Sequence, residues 1–236
     1  SYLQTIVDRD RTPGRFILTG SQQFGLFYGI TQTLAGRVGL IHLLPFNLGE
    51  LGGSNAPRTV EHLLWQGLYP PIIDRRIPPT TWYADYTATY IERDVRQLIN
   101  VRDLSAFRRF VRMCAARTAQ LLNLSSLAAD CGVTHNTAKA WISVLEASYI
   151  VHLLPPYHRN FGKRLIKSPK LYFLDTGLAA ALAGIREADE LMIHPMRGAL
   201  FESWVIAELL KYRLNRAQPA DIYFWRDSSG TEVDAV

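Results

Sequence analysis

The sequence predicts a multidomain protein that is α/β in its first part and α+β in the remainder. In the first 51 residues, two nearly continuous apolar runs flank a helical stretch, which predicts buried parallel strands. A link rich in glycine and polar residues at 52–58 separates this part from a series of helical patterns. Two capped helices joined by a glycine turn, with strands behind them, then predict a winged helix-turn-helix.

The composition is that of an ordinary globular protein. Hydrophobic residues make up 48% and charged residues 20% of the 236 residues, and the formal net charge is +5. This basic balance permits contact with nucleic acid or an acidic membrane, and solvated surface charge is the alternative. No apolar run is long enough to span a bilayer, and Cys114 and Cys131 lack metal-ligand spacing. The sequence therefore predicts a cytoplasmic protein without a membrane partner.

The first part of the chain alternates between helical and strand-like patterns. Residues 3–8 have the pattern of a helix end, and a Pro-Gly turn follows at 11–14. Apolar runs at 15–21 and 38–44 predict buried strands on either side of a helix at 23–35. Strand, helix and strand with short links predict a right-handed parallel crossover.

The middle of the chain is predicted to be helical. Helical patterns cover 59–67, 80–99 and 104–122, and a Pro-rich turn at 69–71 separates the first two. We expect most of the arginines on these helices to lie on solvated faces and to pair with Glu92, Asp94 and Asp103; the arginines are Arg93, Arg96, Arg102, Arg108, Arg109 and Arg112.

A helix-turn-helix pattern follows at 125–150. Ser125 and Ser126 are expected to cap the first helix, and Gly132 suits the left-handed conformation that ends it. Thr134 is expected to cap a second helix that runs to about residue 148. The basic loop at 158–164 lies between two predicted strands, which is the pattern of a wing.

The last part combines a long helix with a hairpin. The helix is predicted at 198–213, and strands at 222–225 and 231–236 flank a turn at 227–230. The chain starts without methionine and stops inside a strand-like pattern, which favours a truncated protein.

A series of short motifs covers nearly the whole chain in a fixed order. They are Arg-Phe-Ile-Leu-Thr-Gly-Ser at 15–21, Leu-Ala-Gly-Arg at 34–37, Leu-Pro-Phe-Asn-Leu-Gly-Glu-Leu at 44–51, Tyr-Ile-Glu-Arg-Asp-Val at 90–95, Lys-Ser-Pro-Lys-Leu-Tyr-Phe-Leu-Asp-Thr-Gly-Leu at 167–178, Gly-Ala-Leu-Phe-Glu at 198–202, Trp-Arg at 225–226 and Glu-Val-Asp at 232–234. Together they resemble a family of prokaryotic AAA-type P-loop ATPases that carry a C-terminal winged helix and a restriction-endonuclease-like domain of unassigned function.

The resemblance implies four regions. Residues 1–51 would be the C-terminal part of the ATPase core with its P-loop α/β sheet, and 52–104 a helical, lid-like region. Residues 105–175 would be the winged-helix domain, and 176–236 a truncated nuclease-like α/β domain.

The resemblance also implies catalytic roles for Ser21 and Arg37. Ser21 would end the sensor-1 strand near the γ-phosphate, and its alternative role is to cap the following helix. Arg37 would act as an arginine finger or sensor, and a strand-edge salt bridge is its alternative.

One departure from the family pattern limits this resemblance. The sequence contains neither the phosphate-binding loop G-x-x-x-x-G-K-[ST] nor an apolar run ending in Asp-Glu that would hold Mg²⁺. ATP and Mg²⁺ are therefore expected as cofactors of the full-length protein only, and the chain by itself is predicted neither to bind them tightly nor to hydrolyse ATP.

Acidic residues near the end of the chain match part of a nuclease site. By resemblance, Glu202 would be the helix acid and Asp234 the strand acid of a Mg²⁺ site. Glu232 lies two residues before Asp234, so both would point to one face of a strand. The alternative is a surface glutamate and ordinary hairpin acids, and we expect no DNA cleavage by this chain.

Polar and basic residues of the predicted winged helix suit DNA. Thr and Asn can reach base edges or phosphates, whereas Lys and Arg mainly hold the backbone. The candidate DNA-binding residues are Thr134, His135, Asn136, Thr137, Lys139, Arg159, Lys163 and Arg164. A wing packed against its own chain is the alternative.

Three functions compete on this evidence. The chain is the binding half of an ATP-driven DNA-associated protein, a nuclease-like domain with an ATPase regulator, or a protein-interaction module. DNA and a second copy of the chain are the candidate partners.

Overall fold

The computed structural model describes residues 2–10, 12, 14–17, 39, 41–52, 57, 59–95, 103–157, 168–227 and 230–236. Two compact units divide the chain, Ser1–His42 and Leu43–Val236. Among the described residues, no helix is both long enough and apolar enough to cross a bilayer.

The first unit begins with helix α1, Tyr2–Arg9, which confirms the helix predicted at 3–8. The carboxylate of Asp10 follows it and accepts hydrogen bonds from the backbone N–H and hydroxyl of Thr12, at 3.0 and 2.7 Å. Arg15 pairs with the same carboxylate at 2.5 Å. These local bonds hold the turn that leaves α1.

The two strands predicted from apolar runs are not found among the described residues. Residues 15–17 and 41–44 form no strand, and the side chains of Ile17 and Leu43 are 89% and 86% exposed. An apolar run becomes a buried strand only where neighbouring strands pair with it, and no described residue pairs with these. The remainder of both runs, the predicted helix at 23–35, and the candidate residues Ser21 and Arg37 lie outside the described residues.

The described residues of the second unit are mostly helical and form two small sheets. Its helices are α2 Val60–Gln66, α3 Pro70–Ile73, α4 Pro79–Tyr86, α5 Leu104–Ala116, α6 Leu124–Cys131, α7 His135–Ala147, α8 Thr176–Ala183 and α9 Arg197–Leu214. A π-helix at Thr87–Val95 continues α4, and 3₁₀ turns occupy Leu48–Glu50 and Ala188–Met192. The strands are β1 Gln120–Leu121, β2 Val151–Leu154, β3 Lys170–Phe173, β4 Trp225–Arg226 and β5 Glu232–Val233.

Capping residues explain where the two helices of the predicted helix-turn-helix begin and end. Thr134 accepts a hydrogen bond from Thr137 N–H at the start of α7, and Gly132, at φ 70°, ends α6, as predicted. The predicted cap of α6 at Ser125 and Ser126 was wrong. Asn123 caps it instead, because its extended backbone directs the amide oxygen to Ser126 N–H at 3.0 Å.

Three further sequence predictions need correction. The turn at 69–71 is the start of α3, because Pro70 at the first helical position needs no hydrogen-bond partner for an N–H. Helix α5 ends at Ala116 rather than near 122, because Ala119 adopts φ 63° and the chain then enters β1. The strand expected at 222–225 is shorter and lies later in the chain: β4 consists of Trp225 and Arg226.

Helices α5, α6 and α7 pack beside a three-stranded antiparallel sheet. Its strand order is β1-β3-β2, with Leu121 opposite Lys170 and Val151 opposite Phe173. Phe107 and Phe110 of α5 meet the Trp141 ring of α7 edge-on, at 5.2 and 5.3 Å between ring centroids. This aromatic contact fixes α7 against α5 and leaves the opposite face of α7 exposed.

The buried carboxylate of Asp175 joins three parts of the helical core. It caps α8 through Leu178 N–H at 2.9 Å, accepts the Tyr83 hydroxyl of α4 at 2.6 Å, and accepts Leu68 N–H at 2.7 Å. Gly67 and Gly177 pack so closely against the Tyr83 hydroxyl that neither position has room for a Cβ. The Leu-Asp-Thr-Gly-Leu motif is therefore a packing motif.

Helix α9 holds the segment that precedes α2. The buried Lys211 donates to the carbonyl of Phe46 at 2.8 Å and pairs with Glu208 at 3.1 Å. The same Glu208 accepts Leu48 N–H at 3.0 Å. These bonds anchor residues 46–48 on helix α9, which lies more than 140 residues later in the sequence.

Candidate functional site

Four ionisable side chains from distant parts of the sequence converge at the junction of the two sheets. Lys170 begins β3, Glu202 lies in the second turn of α9, Glu232 lies in β5, and Asp234 follows it. Because Glu232 and Asp234 are two residues apart, the strand geometry presents both on one face, as predicted. We call these four residues the Lys170 cluster.

The ammonium group of Lys170 lies at the centre of the cluster. Its Nζ is 2.8 Å from a Glu202 oxygen and 2.9 Å from an Asp234 oxygen, and it also pairs with Glu232. One oxygen from each carboxylate lies within 4.8 Å of the other two. The structure therefore brings the predicted pair Glu202 and Asp234 together, with a lysine between them.

Burial and hydrogen bonding together set the protonation of this cluster. Burial alone would lower the pKa of Lys170, whose side chain is 5% exposed, but hydrogen bonds to all three carboxylates outweigh this and raise it. The hydrogen bond from Lys170 also holds the pKa of Asp234 below its ordinary value. Burial, and then the 2.6 Å hydrogen bond to Glu202, raise the pKa of Tyr172. At neutral pH the lysine is charged and the tyrosine is protonated.

The cluster is close to electrically balanced by its own side chains. Arg226 pairs with Glu232 at 3.1 Å, so three carboxylates face two cations and leave one formal negative charge. Carboxylate oxygens are suitable Mg²⁺ ligands. The Lys170 ammonium lies where their oxygens converge, however, so a metal ion could bind all three only after displacing it. Metal binding by Glu202 and Asp234 therefore stays a prediction.

Sequence reasoning missed Lys170 as a member of this site. The available signal was a lysine at the start of the apolar strand Leu171-Tyr172-Phe173, because a buried lysine needs a charged partner. Its partners lie 32 or more residues away in sequence, and only the fold identifies them.

The second candidate site is the beginning of helix α7. Thr134, His135, Asn136 and Lys139 are exposed, and Thr137 is half-buried. The hydroxyls of Thr134 and Thr137 are 2.8 Å apart, and Thr134 is occupied as the cap. The remaining candidates, Arg159, Lys163 and Arg164, lie outside the described residues, so DNA binding stays a prediction.

Three family models match successive parts of the chain. An AAA domain matches residues 1–52, which relates the start of the chain to ATPase-like proteins. A domain of unknown function (DUF8612) matches residues 57–189, more than half of the 236 residues. Another domain of unknown function (DUF4143) matches residues 197–236.

Two mycobacterial proteins are similar over almost the whole chain. The chain is 33% identical over 235 residues to the uncharacterized protein Mb2031c of Mycobacterium bovis, and equally to the uncharacterized protein Rv2008c of Mycobacterium tuberculosis. The aligned part is 98% of this chain and 51% of each relative, so the chain spans about half the length of these relatives. No solved structure is significantly similar to the chain.

Proposed function

The chain belongs to the family defined by the domain of unknown function DUF8612, and we propose that it is the DNA-associated part of an AAA-type ATPase. The observation that carries this proposal is the exposed start of α7, beside a three-stranded antiparallel sheet in the order β1-β3-β2.

The order of elements supports a winged helix. Helix α5 is followed by β1, by the helix pair α6 and α7, and by the antiparallel strands β2 and β3. A tight turn through Gly132 joins α6 to α7, and the second helix of such a pair is the one that enters the major groove of DNA. The segment between β2 and β3 includes Arg159, Lys163 and Arg164, which would be the wing.

The chemistry of the α7 start supports DNA as the partner. His135 and Asn136 occupy the first helical turn, where the backbone N–H groups lack helical partners and attract phosphate. The Asn136 amide can donate to and accept from base edges, and Lys139 adds a positive charge one turn later. All three side chains are exposed and available to a ligand.

The match at the start of the chain supports an ATPase parent. In this proposal Ser21 and Arg37 face the transferred phosphate, and the full-length protein supplies the phosphate-binding loop and the Mg²⁺ ligands. The chain itself contains neither motif, so its purified form should turn over ATP only at background rate.

A nuclease-like role is the second candidate. The three carboxylates of the Lys170 cluster favour it, because their oxygens lie within 4.8 Å of one another. The central Lys170 ammonium favours a structural ion-pair cluster instead. We therefore place DNA association ahead of DNA cleavage.

A titration of labelled duplex DNA at several salt concentrations tests the proposal. With four to six phosphate contacts, we expect the logarithm of the binding constant to fall with the logarithm of salt at a slope of about −4 to −5. The double variant Asn136→Ala, Lys139→Ala should weaken binding. The control Arg186→Ala, Gln218→Ala changes exposed residues in other segments and should not. A wild-type chain that fails to bind duplex DNA even at low salt would refute the proposal.

A further inference from the structure

The outward face of helix α5 carries a row of arginines. The buried face of this helix consists of Ala106, Phe107, Phe110, Val111, Cys114 and Ala115. Arg109 and Arg112 are exposed on the opposite side. Because residues three apart on a helix are neighbours, the two guanidinium groups extend from the same strip of surface.

Two acids of the described residues, Asp103 and Asp130, already have other partners. The Asp103 carboxylate, predicted to pair with these arginines, caps α5 by accepting Ala106 N–H at 2.9 Å. The Asp130 carboxylate pairs with Arg117. Within the part of the chain that the structure describes, no carboxylate forms an ion pair with Arg109 or Arg112. Their positive charges therefore face solvent without a described counter-ion.

The strip lies close to the start of α7. Cys131 is the last residue of α6, and Thr134, three residues later, caps α7, so the two Cα atoms are at most about 11 Å apart. Burial raises the pKa of the Cys131 thiol, and the positive charge of Arg109 is the largest opposing influence. Helix α6 packs directly against α5, so Arg109 of α5 lies on the helix that supports the end of α6 and the turn into the proposed recognition helix.

We infer that Arg109 and Arg112 bind DNA phosphates that flank the base pairs under the start of α7. This inference rests on the proposed DNA association and adds α5 to its interface. The guanidinium fork matches two phosphate oxygens at once, which suits Arg better than Lys to this position. Phosphate contacts fix the position of the protein and carry no sequence information, so the strip contributes affinity and register.

The test compares the double variant Arg109→Gln, Arg112→Gln with a control of equal charge, Arg75→Gln, Arg186→Gln. All four arginines are exposed in the structure. Loss of two phosphate contacts should make the salt slope shallower by about 1.8 and weaken binding roughly tenfold, equally for every duplex sequence. The variant Arg109→Lys, Arg112→Lys keeps both charges and should keep the slope while losing less affinity. Thermal melts check that each variant is folded.

The outcomes separate this inference from the proposed function. If the wild-type chain does not bind DNA, the proposed function fails and the inference fails with it. If the wild type binds and Asn136→Ala, Lys139→Ala weakens it, while Arg109→Gln, Arg112→Gln matches its control, only the inference is overturned. A shallower slope in the arginine variant alone supports it.

Discussion

The start of helix α7 and the Lys170 cluster both contain residues predicted to act on DNA, yet their charges are arranged in opposite ways. At the start of α7, polar and basic side chains are exposed, and the nearby Arg109 and Arg112 have no ion pair among the described residues. In the Lys170 cluster, three carboxylates surround one nearly buried ammonium. One site has positive charge available for a ligand, and the other uses its charges internally.

The difference shows how ion pairing distinguishes a binding surface from a structural contact. An exposed cation without a partner loses little on binding a phosphate, because it has no existing ion pair to break. A nearly buried lysine bonded to three carboxylates must be displaced before all three carboxylates can share one metal ion at its position. We therefore expect substitutions in the Lys170 cluster to change the stability of the protein, and substitutions at α5 and α7 to change its affinity for DNA.

The largest stability effect is expected for Lys170→Met. The substitution keeps the length of the side chain but leaves three carboxylates close together without their central cation. We expect a loss of roughly 3 kcal/mol in the free energy of unfolding, measured by denaturant titration. Lys139→Met, at an exposed position, is the matched control and should change stability by less than about 0.5 kcal/mol.

Divalent ions sharpen this test. With the ammonium removed, the three carboxylates can share a hard cation, so millimolar Mg²⁺ or Mn²⁺ should restore part of the stability of Lys170→Met and leave the wild type unchanged. A wild-type protein stabilised to the same degree as the variant would show that Lys170 does not block the cation position. A Lys170→Met protein as stable as the wild type would contradict the structural role of the cluster.

A smaller effect is expected for Asp234→Asn, and it depends on pH. The lowered pKa of Asp234 means that its contribution to stability is present above the ordinary value of 3.8 and is lost as the pH falls below it. The side chain is 56% exposed, so solvent screening keeps this contribution below about 1 kcal/mol. Wild type and Asp234→Asn should differ at pH 7 and converge near the acid end of a pH series of melts. Asp74→Asn, at another exposed aspartate, is the matched control for the substitution itself.

Local signals predicted the end of helix α6 and the start of helix α7 well. Thr134 caps α7 and Gly132 ends α6, because a hydroxyl acceptor and a left-handed glycine act within three or four residues of the chain. The same locality explains the error at Ser125, because Asn123, two residues earlier, is an equally suitable capping residue. Capping could be predicted from sequence because the groups that compete for it are neighbours in the chain.

Contacts between distant residues were harder to predict. The resemblance identified Glu202 and Asp234, and period-2 spacing placed Glu232 with Asp234, but nothing local linked Lys170 to them. The apolar runs at 15–21 and 38–44 were predicted to be strands, but their described residues 15–17 and 41–44 form none, because strand formation depends on partners that the run itself does not specify. The sequence alone therefore does not show which charged side chains form ion pairs or which segments pair as strands.

Amide hydrogen exchange with and without a duplex DNA tests the contrast between the two sites most directly. If α7 is the recognition helix, the backbone amides of residues 132–137 should exchange more slowly in the complex, since the free N–H groups of His135 and Asn136 approach phosphate. The amides of α9 and of strands β4 and β5, which carry the Lys170 cluster, should be unchanged. Slower exchange in α9, β4 and β5 with none at 132–137 would contradict the account.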